Sequence, residues 1–91
     1  MARQLILTGH VQGVFCRNYC SQYARMLGIK GSASNLGDGS VRVIIDTDDE
    51  SLLRQYTSAL LQNPSNIRFY GKITDISVKP YSGTVGGDYN F

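Results

Sequence analysis

A short tract that contains two glycines carries the residue types that could bind an anion. It runs from Gly9 to Arg17 and reads Gly-His-Val-Gln-Gly-Val-Phe-Cys-Arg. Glycine permits the unusual backbone conformations that turn several main-chain N–H groups toward one point. An arginine at the end of such a loop adds a guanidinium, which binds two phosphate oxygens at once and does not lose its charge. The tract therefore predicts a cradle for a phosphate-like dianion.

The residues after Arg17 place this loop at the start of a helix. The sequence predicts a helix from Asn18 to Leu27 that ends at Gly28. Its apolar stripe has the spacing i, i+3, i+4 and i+7: Cys20, Tyr23, Ala24 and Leu27. The first N–H groups of a helix have no partner within it, and the helix dipole favours an anion at that end. The loop and the helix start are thus expected to act on the same ligand.

The remaining elements follow from apolar periodicity and turn signals. The predicted strands cover residues 3–9, 30–35, 40–45 and 72–79, with a possible short fifth strand over residues 88–91. Thr47 and Glu50 have the spacing of a capping box, which predicts Thr47 as the N-cap of a second helix that runs to about Asn63. The order βαββαβ predicts an α+β fold, a ferredoxin-like α/β sandwich with an antiparallel sheet and two helices on one face. A chain of 91 residues is expected to form a single domain over residues 1–91.

Composition argues against several classes of protein. The formal net charge is +2, and the nine lysines and arginines are scattered, so we expect no nucleic-acid partner. No apolar run approaches the length of a membrane span, and the first residues lack the pattern of a secretory signal, which predicts a cytoplasmic protein without a membrane partner. Two cysteines are too few for a disulfide framework and fit a reducing compartment.

Two motifs in the sequence resemble the signatures of the acylphosphatase family. The first is the tract from Gly9 to Arg17, which resembles the family order of glycine, any residue, Val-Gln-Gly-Val, any residue, an aromatic residue and arginine. The second has a glycine, an asparagine four residues later and then Gly-any-Val: Gly31, Asn35, Gly39 and Val41. The resemblance covers nearly the whole chain, because the order of helices and strands also agrees.

The resemblance implies a hydrolase that cleaves the carboxyl-phosphate bond of acyl phosphates, without a metal or a cofactor. Arg17 and Asn35 would be the catalytic side chains, with Arg17 on the phosphate oxygens and Asn35 holding the attacking water. The residues implied to bind phosphate are Gln12, Gly13, Val14, Phe15, Cys16 and Arg17. The expected partners are a small acyl phosphate and, as competing anions, inorganic phosphate or sulfate. We expect a monomer.

Three positions depart from the family pattern. Cys16 stands where an aromatic residue usually precedes the arginine, so either the ring of Phe15 fills part of that space or the cradle is reshaped. Ser32 stands at a usually aromatic position, which removes packing near the second strand. Leu36 follows Asn35 where some members carry a hydroxyl residue. Both catalytic side chains are kept, so the departures bear on rate and substrate fit.

Other chemistry is conceivable for the histidine and the cysteines. His10 is expected to face solvent near the site and not to act as an acid or base. His10, Cys16 and Cys20 could form a metal triad, but their spacing fits no common zinc pattern, so no metal site is predicted. Cys20 is expected to be a small core residue. Cys16 at a helix start could be a reactive thiol, and an exposed cysteine could link two copies by a disulfide under oxidation.

Two other functions compete with hydrolysis. One is a catalytically weak or silent acylphosphatase-like domain that keeps the cradle for binding phosphate or another anion. The other is an RNA-binding ferredoxin-like module, which would need aromatic residues on its sheet. Neither residues 42–44 nor residues 73–75 supply them.

Overall fold

The computed structural model of the protein describes residues 2–91. In chain order its elements are β1 (Ala2–His10), α1 (Cys16–Met26), β2 (Gly31–Asn35), β3 (Val41–Ile45), α2 (Glu50–Gln62), β4 (Lys72–Tyr81) and β5 (Tyr89–Asn90). The five strands form one sheet in the order β4-β1-β3-β2-β5, and every neighbouring pair is antiparallel. The predicted fold class is confirmed, including the short fifth strand.

The core lies between the helices and one face of the sheet. Val41, Val43 and Ile45 alternate along β3 and are completely buried, as the period of a half-buried strand requires. The two helices are joined by reciprocal hydrogen bonds: the Tyr19 hydroxyl of α1 donates to the Leu60 carbonyl of α2 at 2.6 Å, and the Tyr56 hydroxyl of α2 donates to the Cys20 carbonyl of α1 at 2.9 Å.

The start of α2 differs from the prediction. The N-cap is Asp49, whose carboxylate accepts from the N–H groups of Ser51 at 2.9 Å and Leu52 at 3.2 Å. The predicted cap, Thr47, is therefore wrong by two residues. The Thr47 hydroxyl accepts instead from the N–H of Asp49 at 3.2 Å and forms the turn that precedes the helix. A carboxylate at this position satisfies two unpaired N–H groups and also favours the positive end of the helix dipole.

Strand β2 forms despite its weak strand-forming residues because it is covered on both faces. A Cβ at Gly31 would overlap the carbonyl oxygen of Ile44, so only glycine permits this approach to β3. The Ser32 hydroxyl donates to the carbonyl of Val85, in the loop of residues 82–88. This loop takes up the packing that the serine was expected to remove. β5 then pairs with β2 and sets the edge of the sheet.

Within residues 2–91, none of the helices combines the length and the apolar character that crossing a membrane requires.

Candidate active site

A cavity of about 290 Å³ opens where the loop after β1 meets the start of α1 and the end of β2. Its lining residues are Val11, Gly13, Phe15, Cys16, Arg17, Asn18, Asn35 and Tyr89. The fold thus brings together the two predicted catalytic residues, Arg17 from the first turn of α1 and Asn35 from the last position of β2. Asn35 is solvent-exposed and Arg17 is half-buried, so both are open to a ligand.

The backbone of the loop leaves main-chain donors free at the helix start. Gly13 has a φ of 73° and Phe15 a φ of 64°, so two residues of the loop take the left-handed conformation. Phe15 is the N-cap of α1 and provides no side-chain cap, and no acidic residue lies in the first turn. Among the described residues, no backbone or side-chain acceptor meets the N–H groups of residues 16–18. Unpaired N–H groups beside an arginine make an environment suited to an oxyanion.

The six residues implied to bind phosphate divide into two groups. Gly13, Phe15, Cys16 and Arg17 line the cavity, whereas Gln12 and Val14 do not. Val14 is buried in the core, where its side chain anchors the loop. The Gln12 side chain contacts the hairpin between β2 and β3 instead.

Gln12 holds the hairpin that follows Asn35. Its Nε2 donates to the carbonyl oxygens of Leu36 at 2.6 Å and Ser40 at 2.9 Å. Across the same turn, Asp38 Oδ1 accepts from the N–H of Ser40 at 3.0 Å and from its hydroxyl at 2.5 Å. Both hydrogen bonds lower the pKa of the exposed Asp38 carboxyl, and the bond from the Ser40 hydroxyl has the larger effect. The loop that carries Arg17 and the strand end that carries Asn35 are therefore tied through one side chain.

Cys16 and Phe15 lie in different environments. Cys16 is buried as the first residue of α1, whereas Phe15 is 54% exposed. The Phe15 ring therefore lies outside the buried space that Cys16 occupies, and both interpretations of the departure, a ring that fills part of the family's aromatic space and a reshaped cradle, stay predictions. The left-handed conformation of Phe15 turns its ring outward, where it contacts Tyr70 with 5.6 Å between ring centroids.

The two cysteines contact each other, but within residues 2–91 no group of three or more histidine, cysteine, aspartate or glutamate residues could hold a metal ion. Cys16 and Cys20 are both buried with 4.0 Å between their Sγ atoms, whereas His10 is exposed at the end of β1 and does not line the cavity. The contact with Cys16 and, next, burial raise the pKa of the Cys20 thiol. Both thiols are buried. Neither cysteine is therefore accessible enough to react with solutes or to form a disulfide between two copies of the chain. Cys20 is a core residue, as predicted.

Sequence reasoning missed three cavity residues. Val11 lies within the first motif and Asn18 directly follows it, so their position in the chain could have indicated them. Tyr89 has no local signal, because it reaches the cavity only through the pairing of β5 with β2. Its hydroxyl donates to Asn18 Oδ1 at 3.3 Å, which joins the last strand to the first turn of α1.

An antiparallel sheet with two helices on one face defines a ferredoxin-like domain. The cavity combines an arginine with unpaired N–H groups at a helix start, an arrangement suited to an oxyanion. The family model described as Acylphosphatase matches residues 3–88. The chain therefore belongs to the acylphosphatase family, and the family prediction is confirmed.

Individual relatives agree with this assignment. A protein of Lactococcus lactis named acylphosphatase is 32% identical over 90 residues, which cover 96% of this chain and 93% of that one. A Corynebacterium glutamicum acylphosphatase is 44% identical over 71 residues, 75% of this chain and 71% of that one. The match to a Deinococcus radiodurans acylphosphatase is 49% identical but covers only about half of each chain, 54% and 56%.

Two solved structures share the fold. The crystal structure of acylphosphatase from Bacillus subtilis superposes with a TM-score of 0.74 at 27% identity, covering 97% of this chain and 92% of that one. An acylphosphatase from Coxiella burnetii gives a TM-score of 0.71 at 18% identity, covering 94% and 87% of the two chains. At that lower identity the likeness concerns the fold.

Proposed function

We propose that the chain hydrolyses the carboxyl-phosphate bond of acyl phosphates to a carboxylate and inorganic phosphate, with Arg17 and Asn35 as its catalytic side chains. Family membership and the likeness to the Bacillus subtilis structure support the reaction. The observation that carries the assignment of residues is the single cavity that Arg17, Asn35 and the start of α1 all line.

The phosphoryl group binds at the start of α1. Its oxygens accept from main-chain N–H groups of the loop and from the Arg17 guanidinium, which neutralise the charge that the transition state spreads over them. Asn35 orients a water molecule opposite the leaving carboxylate. The water oxygen forms a bond to phosphorus as the bond from phosphorus to the acyl oxygen breaks, and the carboxylate leaves with that electron pair.

The water proton passes to a phosphate oxygen of the substrate. Among the described residues that line the cavity there is no carboxylate and no imidazole, and the amide of Asn35 is not a base at neutral pH. Acyl phosphates carry a good leaving group, and in a loose transition state the bond to the nucleophile is only slightly formed, so a strong base is not required to activate the water. Positioning and charge stabilisation therefore suffice for the reaction.

The test is hydrolysis of benzoyl phosphate and acetyl phosphate by the wild type and by Arg17→Ala and Asn35→Ala. We expect metal-independent turnover that falls by roughly 100-fold or more in each variant, the usual effect of removing one group that stabilises a transition state. Arg17→Ala should also lose competitive inhibition by phosphate and sulfate. His10→Ala is the matched control, because it removes an exposed side chain close to the loop but outside the cavity.

Two results would argue against the proposal. A folded wild type that binds phosphate without turnover would favour the silent anion-binding domain. Loss of activity in His10→Ala, with a pH profile that follows an imidazole, would contradict transfer of the proton to the substrate.

We further propose that the protein acts as a monomer in the cytoplasm. The two buried, unlinked cysteines fit a reducing compartment and support this setting. Sedimentation of the purified protein, with and without reductant, tests the oligomeric state. A dimer in reductant would contradict the proposal.

A further inference from the structure

Two exposed aromatic rings contact each other, and one of them lines the cavity. Phe15 is 54% exposed and lines the cavity, and Tyr70 is 66% exposed. Their centroids are 5.6 Å apart with an interplanar angle of 51°, within the range of favourable aromatic pairs. Large apolar side chains this exposed are informative when they are contiguous and adjoin a cavity.

The backbone fixes both rings in this exposed position. The N–H of Tyr70 donates to the carbonyl of Val14 at 3.1 Å, so the segment that carries Tyr70 is attached to the phosphate-binding loop itself. The preceding residue, Phe69, stacks on Tyr19 with 4.4 Å between centroids and anchors the segment to the core. The Tyr70 side chain is therefore exposed even though its segment is fixed by contacts to the loop and to the core.

Phe15 is exposed at a position where its backbone is also strained. It has a φ of 64° and a ψ of 24°, a conformation that non-glycine residues adopt infrequently and that an aromatic residue adopts at an energetic cost. Burial of the ring does not offset this cost, since more than half of the side chain faces solvent. Strained residues of this kind cluster at ligand-binding sites.

We infer that Phe15 and Tyr70 form a platform for the acyl group of the substrate, and that the chain favours acyl phosphates with an aromatic acyl group over short aliphatic ones. The inference rests on the proposed function. With the phosphoryl group at the start of α1, the acyl group is the part of the substrate that leaves the cavity, and Phe15 belongs both to the lining and to the exposed pair. Two rings match one small aromatic group and are far below the area of a protein interface.

The test compares kcat/KM for benzoyl phosphate and acetyl phosphate in the wild type, Phe15→Ala and Tyr70→Ala. The benzoyl-to-acetyl ratio should fall roughly three- to tenfold in each variant, the effect of losing one aromatic contact. Leu61→Ala is the matched control, because Leu61 is an exposed apolar residue on α2, 57% accessible and outside the cavity. It should leave the ratio unchanged.

A binding measurement separates this inference from the proposed function. Calorimetric titration with phenylphosphonate and methylphosphonate requires no turnover, and the wild type should prefer the phenyl compound in a manner that Tyr70→Ala reduces. Suppose that the wild type hydrolyses both acyl phosphates, but Tyr70→Ala changes neither the benzoyl-to-acetyl ratio of kcat/KM nor the preference for phenylphosphonate. The platform is then overturned and the proposed function stands. If the wild type hydrolyses neither while the Tyr70-dependent preference persists, the platform stands and the proposed function is overturned.

Discussion

Gln12 connects the two halves of the site through a single side chain. Its amide donates to two carbonyl oxygens of the hairpin that follows Asn35, and its own backbone belongs to the loop that leads to Arg17. The geometry of the proposed catalytic pair, Arg17 and Asn35, therefore depends on a residue that does not itself line the cavity. We therefore expect Gln12 to be a positioning residue, since its side chain contacts the hairpin and does not line the cavity.

Substitution of Gln12 should lower the rate more than it weakens anion binding. We expect Gln12→Ala to reduce kcat about tenfold, because the lost ties let Asn35 move from its position. The inhibition constant of phosphate should change little, because the loop N–H groups and Arg17 remain. Steady-state kinetics with phosphate as inhibitor measures both quantities.

Gln55→Ala is the control for that substitution, because Gln55 is exposed on α2 and its amide donates to the hydroxyl of Ser51, one helical turn earlier. Equal losses of kcat and of phosphate affinity in Gln12→Ala would show that the whole loop depends on this side chain, and would contradict the positioning role.

Helix α2 has two candidate N-cap residues, Thr47 and Asp49. Both Thr47 and Asp49 are good capping residues, but only the Asp49 side chain accepts from two N–H groups of the first turn. The sequence pattern favoured Thr47 because Glu50 lies three residues beyond it. The helix begins where more of its unpaired donors are satisfied.

We expect Asp49→Ala to lower the free energy of unfolding by about 1 kcal/mol, the usual value for loss of an N-cap. Thr47→Ala should lower it by less than about 0.5 kcal/mol, since its hydroxyl meets only one N–H outside the helix. Urea unfolding followed by circular dichroism compares the two. The reverse order would mean that Thr47 is the cap in solution.

Most elements could be predicted because their signals are local. The stripe of α1 and the alternation of β3 depend on neighbours within the same element, and both were found with small errors at their ends. The start of α1 at Cys16 was missed because the left-handed Phe15, and not a capping side chain, precedes it.

The site was predictable only where its residues lie in motifs. Arg17 and Asn35 were identified from two signatures, and the fold brings them to one cavity. Tyr89 and Tyr70 were not, because each reaches its position through a contact with a distant segment, β2 and Val14 respectively. The residues next to either tyrosine in the sequence do not indicate which distant segment it contacts.

Two buried tyrosines connect α1 and α2 by hydrogen bonds. Tyr19 and Tyr56 are 1% and 0% exposed, and each donates its hydroxyl hydrogen to a carbonyl of the other helix. Burial is the main cause that raises the pKa of both phenols well above the ordinary value. Each phenol must remain protonated in the native state, because a phenolate would lose its bond and lie in an apolar core.

Stability should therefore fall in alkaline solution. Below the ordinary tyrosine pKa of about 10, native and unfolded states hold the same phenolic protons, and these groups give no pH dependence. Above about pH 10 the unfolded state releases them first, so the free energy of unfolding drops by up to about 2.7 kcal/mol per pH unit for two groups. Urea unfolding at pH 9, 10 and 11 measures the slope.

The double variant Tyr19→Phe/Tyr56→Phe provides the comparison, because it keeps both rings and removes both hydroxyls. Its slope above pH 10 should be much shallower than that of the wild type. Identical slopes would place the alkaline transition in other groups.

The fit of Ser32 against the loop of residues 82–88 has an evolutionary consequence. The serine hydroxyl bonds to Val85, and a Cβ at Gly87 would lie 2.9 Å from the same hydroxyl oxygen. Positions 32 and 87 are therefore epistatic, since neither can gain volume while the loop stays in place. Substitution of Ser32 by an aromatic residue would first require this loop to become shorter or to move, so the order in which mutations arise limits the paths open to the chain.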